Sequence, residues 1–549
     1  MSKAEKPQNI IAKRVMHVSR THLMLSQHAL FDADEILALQ CEFRRSMRRL
    51  LRELCEELRG PYRAEADAYR LPVEFFDLLR GSLTDQDYGD WKVAGWIEEL
   101  NDLVYFIDVL AQLRAERDVR LFAAELHAAC EGQFYENHYL DELFPTGRPD
   151  GVGLDKRLDS LCNGLARDIT QTSLWFVPGL PCRWLAGTNT REWVVPGDLR
   201  GNFERAELPG CLPTGLSDAC IRVPAAMRRV VARIGDGVKF LVRQDGMFLR
   251  LRSRDTQILS TQGGTVSWVW RKASSPLLRF AAGRGRITVG PTLVYGRDRI
   301  PTTVNTSPPH VVERIQSALT VIEEAWPAGA ALLAALTTRV VPLQARGVVS
   351  FSYRHRPGLS FLNVFDRGQL DLIDDLIHEN SHHHLNLLLR KCLLHHKDCN
   401  QEIFYSPWRC SLRPLRGILH ATFTFTMGAI LFERLSSWIA RAGTVEVRRS
   451  GLTKRDILRA RFRCLEEIGS VRYSLQDLTY AARELGWVTD EGKSLVDTLK
   501  KTIEQVGKRI APFEAVVLRS SYGVELKRHR QELQTARRIY GPRSPEFQH

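Results

Sequence analysis

Asp371-Leu-Ile-Asp-Asp375-Leu-Ile-His378-Glu379-Asn-Ser-His382-His383-His384 is the stretch on which the reading of this chain turns. It contains the pattern H-E-x-x-H. Apolar residues recur through and after it at helical spacing (Ile373, Ile377, Leu385, Leu388), which predicts a helix with one face turned to a core. Residues four apart share a helix face, so the imidazoles of His378 and His382 can reach one ion. Glu379 lies about 100° round from His378, near enough to face the same cavity. Asp375, three residues before His378, is placed to accept the outer ring N–H of a ligand histidine and fix its tautomer. The ligand edge borders the apolar arc, and buried imidazoles without a metal would need other polar partners. His383 and His384 point elsewhere and are read as facing solvent or packing.

Working outward, Gly347–Tyr353 and Gly358–Val364 read as apolar strands before this helix, which is expected to run from Asp366, as N-cap, to about Arg390. A loop to Pro407 should follow. Then comes a long, buried helix over 415–440 with Pro414 at its start. Helical period marks His310 to Leu336 and Thr453 to the end. Residues 1–150 read mostly as helix, as in the apolar spacing of Ile97, Leu100, Val104, Ile107 and Leu110, and close on a turn-rich stretch, PTGRPDG. Residues 151–309 read as a β-rich middle region, largely antiparallel. Val238–Val242 and Met247–Arg252 flank the hairpin signal Asp245-Gly246; Thr265–Trp270 and Arg286–Val289 also read as strands, and Gly283-Arg-Gly285 as a turn. The expected fold is α+β and mostly helical: a helical N-terminal domain (1–150), the β-rich middle (151–309), and a helix-rich metal domain with a short sheet (310–549).

At 549 residues the chain exceeds one ordinary core. Its 44% hydrophobic and 26% charged residues are those of a globular protein. No apolar run is read as reaching bilayer-spanning length, and the polar start MSKAEKPQNIIAKRV lacks the apolar core of a secretory signal, so a cytoplasmic enzyme with no membrane partner is expected. The 11 cysteines form no repeating framework and read as reduced thiols. Cys392-Leu-Leu-His395-His396-Lys-Asp-Cys399 matches no usual zinc spacing and reads as a helix end and loop. The net charge of +13 sits partly on helical faces (Arg44, Arg45, Arg48, Arg49, Arg52, and the tail Lys527, Arg528, Arg530, Arg537, Arg538). No nucleic-acid motif accompanies it, so solvated faces are the expectation. An acidic peptide would also suit such a surface.

H-E-x-x-H usually marks a zinc peptidase in which the glutamate, here Glu379, activates metal-bound water. A third ligand is then needed. The continuation H-x-x-G-x-x-H is absent. His420 and Glu433 are candidates on the next helix, but thirteen residues apart they lie on well-separated sides, so only one of them is expected to face the metal.

A second motif follows: Tyr405-Ser-Pro407-Trp408-Arg409-Cys-Ser-Leu-Arg413-Pro414-Leu-Arg416-Gly417-Ile-Leu-His420. With His378-Glu-Asn-Ser-His382-His-His-Leu-Asn386, residues 340–440 resemble bacterial HExxH-motif proteins associated with ribosomally made peptides, of the 2-oxoglutarate- and iron-dependent peptide β-hydroxylase type. Cys410 and Ser411 depart from the more polar stretch expected there. The resemblance implies Fe(II), 2-oxoglutarate and O₂, a precursor-peptide substrate, His378, His382 and His420 as metal ligands, and Arg409 or Arg413 gripping the cosubstrate's distal carboxylate. Residue chemistry agrees with it, since such an oxygenase needs three ligands on one face of the ion and a cationic fork nearby. Glu379 or Glu433 could alternatively give the carboxylate of a two-His, one-carboxylate triad. Trp408 reads as packing. Three functions follow as expectations: the peptide hydroxylase, a Zn(II) peptidase with Glu379 as base, and a non-catalytic metal-containing maturation scaffold.

Overall fold

The computed structural model describes residues 33–71, 73–115, 151–176, 277–280, 286–289, 309–396 and 401–542, together with seven strands between 192 and 272. The expected turns at Asp245-Gly246 and Gly283–Gly285, and residues 116–150, lie outside the described residues. Helices α1 (Ala33–Arg59), α2 (Arg63–Ala68), α3 (Val73–Ser82), α4 (Trp91–Ala115) and α5 (Gly151–Phe176) come first. Strands β1 (Glu192–Val195), β2 (Phe203–Ala206), β3 (Ala219–Arg222), β4 (Arg229–Ile234), β5 (Val238–Arg243), β6 (Thr256–Leu259), β7 (Thr265–Lys272), β8 (Leu277–Arg279) and β9 (Arg286–Val289) follow. Then come α6 (Pro309–Ala325), α7 (Pro327–Leu336), β10 (Arg339–Leu343), β11 (Phe351–Ser352), β12 (Leu359–Asn363), α8 (Gln369–Lys391), β13 (Phe404–Ser406), β14 (Ser411–Arg413) and α9 (Leu415–Arg441). The C-terminal helices are α10 (Thr444–Arg449), α11 (Lys454–Arg483), α12 (Asp490–Leu518) and α13 (Tyr522–Tyr540).

The architecture is α+β and mostly helical, as the sequence predicts. The stretch read as β-rich from residue 151 opens with a helix, α5, before its strands. Leu154, Leu158, Cys162 and Leu165 are all fully buried at three- and four-residue spacing, a helical stripe that overrides the two glycines at its start. Val238–Arg243 pairs antiparallel with β4, while β1 joins β4 in parallel.

The site is positioned by the sheet β11-β12-β10-β9-β8. Its three central strands are parallel, and every residue of β12 is buried, as expected for a parallel strand covered on both faces. Val341, Leu343, Leu359 and Phe361 turn to one face, where Trp91 at the start of α4 caps them. Val340 and Leu362 turn to the other, into a continuous apolar cluster that runs from Ile36 to Leu526. Helix α8 leaves the end of β12 and packs beneath that second face, flanked by α6, α7, α9 and α1.

Helix α9 is long and apolar enough, by composition, to cross a bilayer, contrary to the expectation that no segment reaches that length. Its apolar window is 72% buried by protein, between α8, α11 and α12. Its hydropathy is that of a central core helix.

Helix α4 carries a tight contact with the loop before β12. Arg356 is fully buried, with Glu99 at 3.8 Å. Gly95 makes room for it, since a Cβ there would fall 1.6 Å from Arg356 Nη1. Because the guanidinium is enclosed, it cannot swing out to solvent. Gly95→Ala is therefore expected to cost about 3–5 kcal/mol, the range for stripping a buried ion of its partner. Denaturant unfolding checks this, and a loss below about 1 kcal/mol would show that Arg356 has another home within the core.

Candidate metal centre

Helix α8 does not begin at Asp366. That residue sits in the left-handed region (φ 51°), two positions before the true cap, Gly368, whose N–H donates to the Asp371 carboxylate at 2.9 Å. The local reason is competition: Asp371 stands three residues past Gly368, where a carboxylate reaches back to the cap N–H.

His378 and His382 are half-buried on one face of α8, with ring centroids 5.0 Å apart and planes at 79°. Two imidazoles that share an ion at about 2.1 Å have centroids roughly 5 Å apart, so the pair needs little adjustment to bind one. The ligating atoms of His378, Glu379 and His382 all lie within 4.8 Å of one another, the one such cluster among the described residues. Glu379 is almost fully buried. His420, on α9, faces His382 with its ring 30° from parallel and 6.3 Å away, about an ångström beyond shared-ion spacing and within reach of a side-chain rotation.

Burial pushes the His378 imidazole down to about 4, with help from the nearby Arg463 and Arg409. Burial likewise holds His420 down to about 3, with Arg354, His395 and Arg416 adding to it. Both rings are thus neutral at physiological pH, the form that offers a lone pair to a metal. Imidazole nitrogens beside one carboxylate suit zinc or iron and not magnesium or calcium. The residues present therefore fit the metal that the motif implies.

The second motif is a hairpin where the sequence reads as a loop. β13 and β14 pair antiparallel, and Pro407–Cys410 form the turn, with Cys410 in the left-handed region at φ 49°. Arg409 stands exposed at the tip, within electrostatic reach of His378. Arg413 ends β14, half-buried and alongside Gly417. Pro414 precedes α9 as expected. Trp408 has the packing role: it stacks on Phe425 (4.4 Å, 6°), and its indole N–H donates to Glu467 at 2.8 Å. Phe425 in turn sets its ring against His378 at 5.2 Å. Glu467 also accepts from Arg463 at 2.6 Å, and burial raises its carboxyl to about 7 despite both donors.

Several candidates are placed elsewhere. Asp375 does not hold a ligand histidine: it accepts from Ser350 Oγ at 2.7 Å and lies 3.7 Å from Arg367. Glu433 is buried against α12, accepting from Arg509 at 2.9 Å and Ser437 at 3.0 Å. Thirteen residues along α9 from His420, it serves the core and not the metal pair. His383 and His384 are both buried, so packing holds and solvent exposure does not. The His383 Nδ1 accepts from the Gly358 N–H (3.3 Å), which puts the ring proton on Nε2, facing Ser360 Oγ at 3.1 Å. His384 lies edge-on to Phe423. Of the Cys392–Cys399 stretch, Cys392 caps α8 and His395 bridges to Val488, while residues 397–400 are outside the described set.

Sequence reasoning missed Arg354, Arg416, Arg463, Glu467 and Phe425. Arg416 lies inside the second motif, where its charge could have been weighed. The others reach the site from separate elements and carry no local signal. Compared with known proteins, the chain matches no protein-family model and no curated protein sequence.

Proposed function

We propose that this chain is a cytoplasmic Fe(II)- and 2-oxoglutarate-dependent oxygenase that hydroxylates a side-chain carbon of a ribosomally made peptide. The observation that carries this reading is a pair of imidazoles at shared-ion spacing, with a third facing them and arginines on two sides. Bound there, Fe(II) would use dioxygen as the oxidant, with 2-oxoglutarate oxidised to succinate and CO₂ as one oxygen atom is inserted into an unactivated C–H bond. His378, His382 and His420 hold the ion. Glu379, buried beside them, accepts a hydrogen bond within the site and orients what binds there. Arg463 is committed to Glu467, whereas Arg409 has no carboxylate partner among the described residues and is the fork available for the cosubstrate's distal carboxylate. Trp408 and Phe425 fix the hairpin that presents Arg409 and shield the His378 side from water.

Anaerobic loading with Fe(II) and 2-oxoglutarate should give the visible charge-transfer band of the chelate, and air with a peptide substrate should yield succinate. Well-folded, iron-loaded protein with no band would overturn the proposal. Arg409→Ala should weaken 2-oxoglutarate binding by roughly 10–150-fold, the equivalent of about 1.5–3 kcal/mol for a lost charged hydrogen bond, with iron binding unchanged. Equal affinity in titration of the variant would move the fork to Arg413. A second reading, zinc-dependent hydrolysis, is favoured by one observation: the Glu379 carboxylate sits within 4.8 Å of both histidines, where a general base would stand.

A further inference from the structure

Helix α1 carries Arg45, Arg48, Arg49 and Arg52 on one side, three or four residues apart. Like charges at this spacing oppose helix formation by a few tenths of a kcal/mol per pair, so local stability does not account for the arrangement. With Arg80 from α3 and with Tyr88, they line a cleft of about 460 Å³. Some of this charge is answered at the rim, where Arg48 meets Asp85 at 2.9 Å and Arg80 meets Asp77 at 3.4 Å. Arg45 and Arg49 are exposed and have no carboxylate partner among the described residues.

The same two arginines also line a second cleft, of about 230 Å³, between α1 and the C-terminal end of α8. Its floor is apolar: Leu39, Phe43, Met47 and Leu387 are each 7–9% exposed. Its far rim is Arg390 and Lys391, held by ion pairs to Glu98 and Glu42. The two clefts adjoin along Arg45 and Arg49, a furrow in two parts, basic on one side and apolar-floored on the other.

We infer that this furrow docks an acidic peptide segment carrying apolar residues among its carboxylates. A nucleic acid suits it less. Single strands need aromatic faces for base stacking, and here Tyr88 is buried while Phe43 is covered by the Arg390 guanidinium at 4.9 Å. Lys391 lies nine residues past His382, about 13 Å along the helix and on its opposite side, so the docked segment is not the one that reacts. The inference stands apart from the chemistry at the metal.

The test is fluorescence anisotropy of the full chain with a labelled peptide of alternating glutamate and leucine, against its glutamine analogue and a labelled single-stranded oligonucleotide. The acidic peptide should bind best, weaken with added salt, and lose at least about tenfold in affinity in Arg45→Glu/Arg49→Glu, where rim-type charges are reversed. Metal uptake measured on the same samples should not change, which separates failure here from failure of the oxygenase reading. Equal binding of the glutamine analogue, tighter binding of the oligonucleotide, or an unaffected double variant would each overturn it.

Discussion

Replacing His378 and His382 together with alanine is expected to abolish metal uptake while the chain stays folded. Loss of a hydrogen bond that merely supports a ligand costs roughly 10–100-fold in metal affinity, and loss of two ligands goes well beyond that. The fold should tolerate the change, because both rings are only half-buried and lie at the edge of the apolar core. The adjacent pair supplies the contrast. His383→Ala/His384→Ala should keep the metal but lose stability. Ring removal deprives the buried Gly358 N–H and Ser360 hydroxyl of their partner, at about 1–3 kcal/mol for each group left unsatisfied, and opens a gap against Phe423. Metal uptake should therefore fall only in the first variant, and the unfolding midpoint only in the second. If the His378/His382 variant takes up as much metal as the unaltered chain, the metal lies elsewhere and the proposed function goes with it.

The parts of this site that could be read ahead of the structure are those encoded at short range. Helix α8 was legible because its apolar residues keep a 3.6-residue period through the motif, and the same period puts His378 and His382 on one face. Helix α9 was legible from its composition and from Pro414 at its start. The hairpin between them was not. Its strands are three residues long, too short for alternation to show, and its turn places a cysteine in the left-handed region, a position that composition assigns to glycine or asparagine. Asp375 was misread for a different reason. Helical geometry puts it near His378, but Ser350, twenty-five residues earlier, reaches it across the sheet. Glu433 is the same case at longer range, its carboxylate taken by Arg509 from a helix that begins 57 residues later. Local pattern says which residues can meet an ion; which of them are diverted depends on partners that only the packed fold supplies.

Glu379→Gln separates the chemical readings more sharply than any other single substitution, because amide and carboxylate have the same shape but differ in basicity and metal affinity. In the oxygenase, with His378, His382 and His420 as ligands, the variant should bind Fe(II) as before and keep measurable succinate formation, since an amide oxygen can still accept a hydrogen bond in the site. In a zinc hydrolase Glu379 is the base that activates water. Its replacement should leave metal binding intact and remove peptide cleavage by roughly 10²–10⁴-fold, the usual contribution of a positioned general base. If the carboxylate is itself a ligand, metal uptake falls and His420→Ala leaves it unchanged. Metal content and turnover measured on the one variant thus distinguish the three outcomes. The oxygenase reading makes the first outcome the expectation: His420 faces His382 from the neighbouring helix at 6.3 Å, while Glu379, clustered within 4.8 Å of both histidines, is the rival ligand that the variant tests.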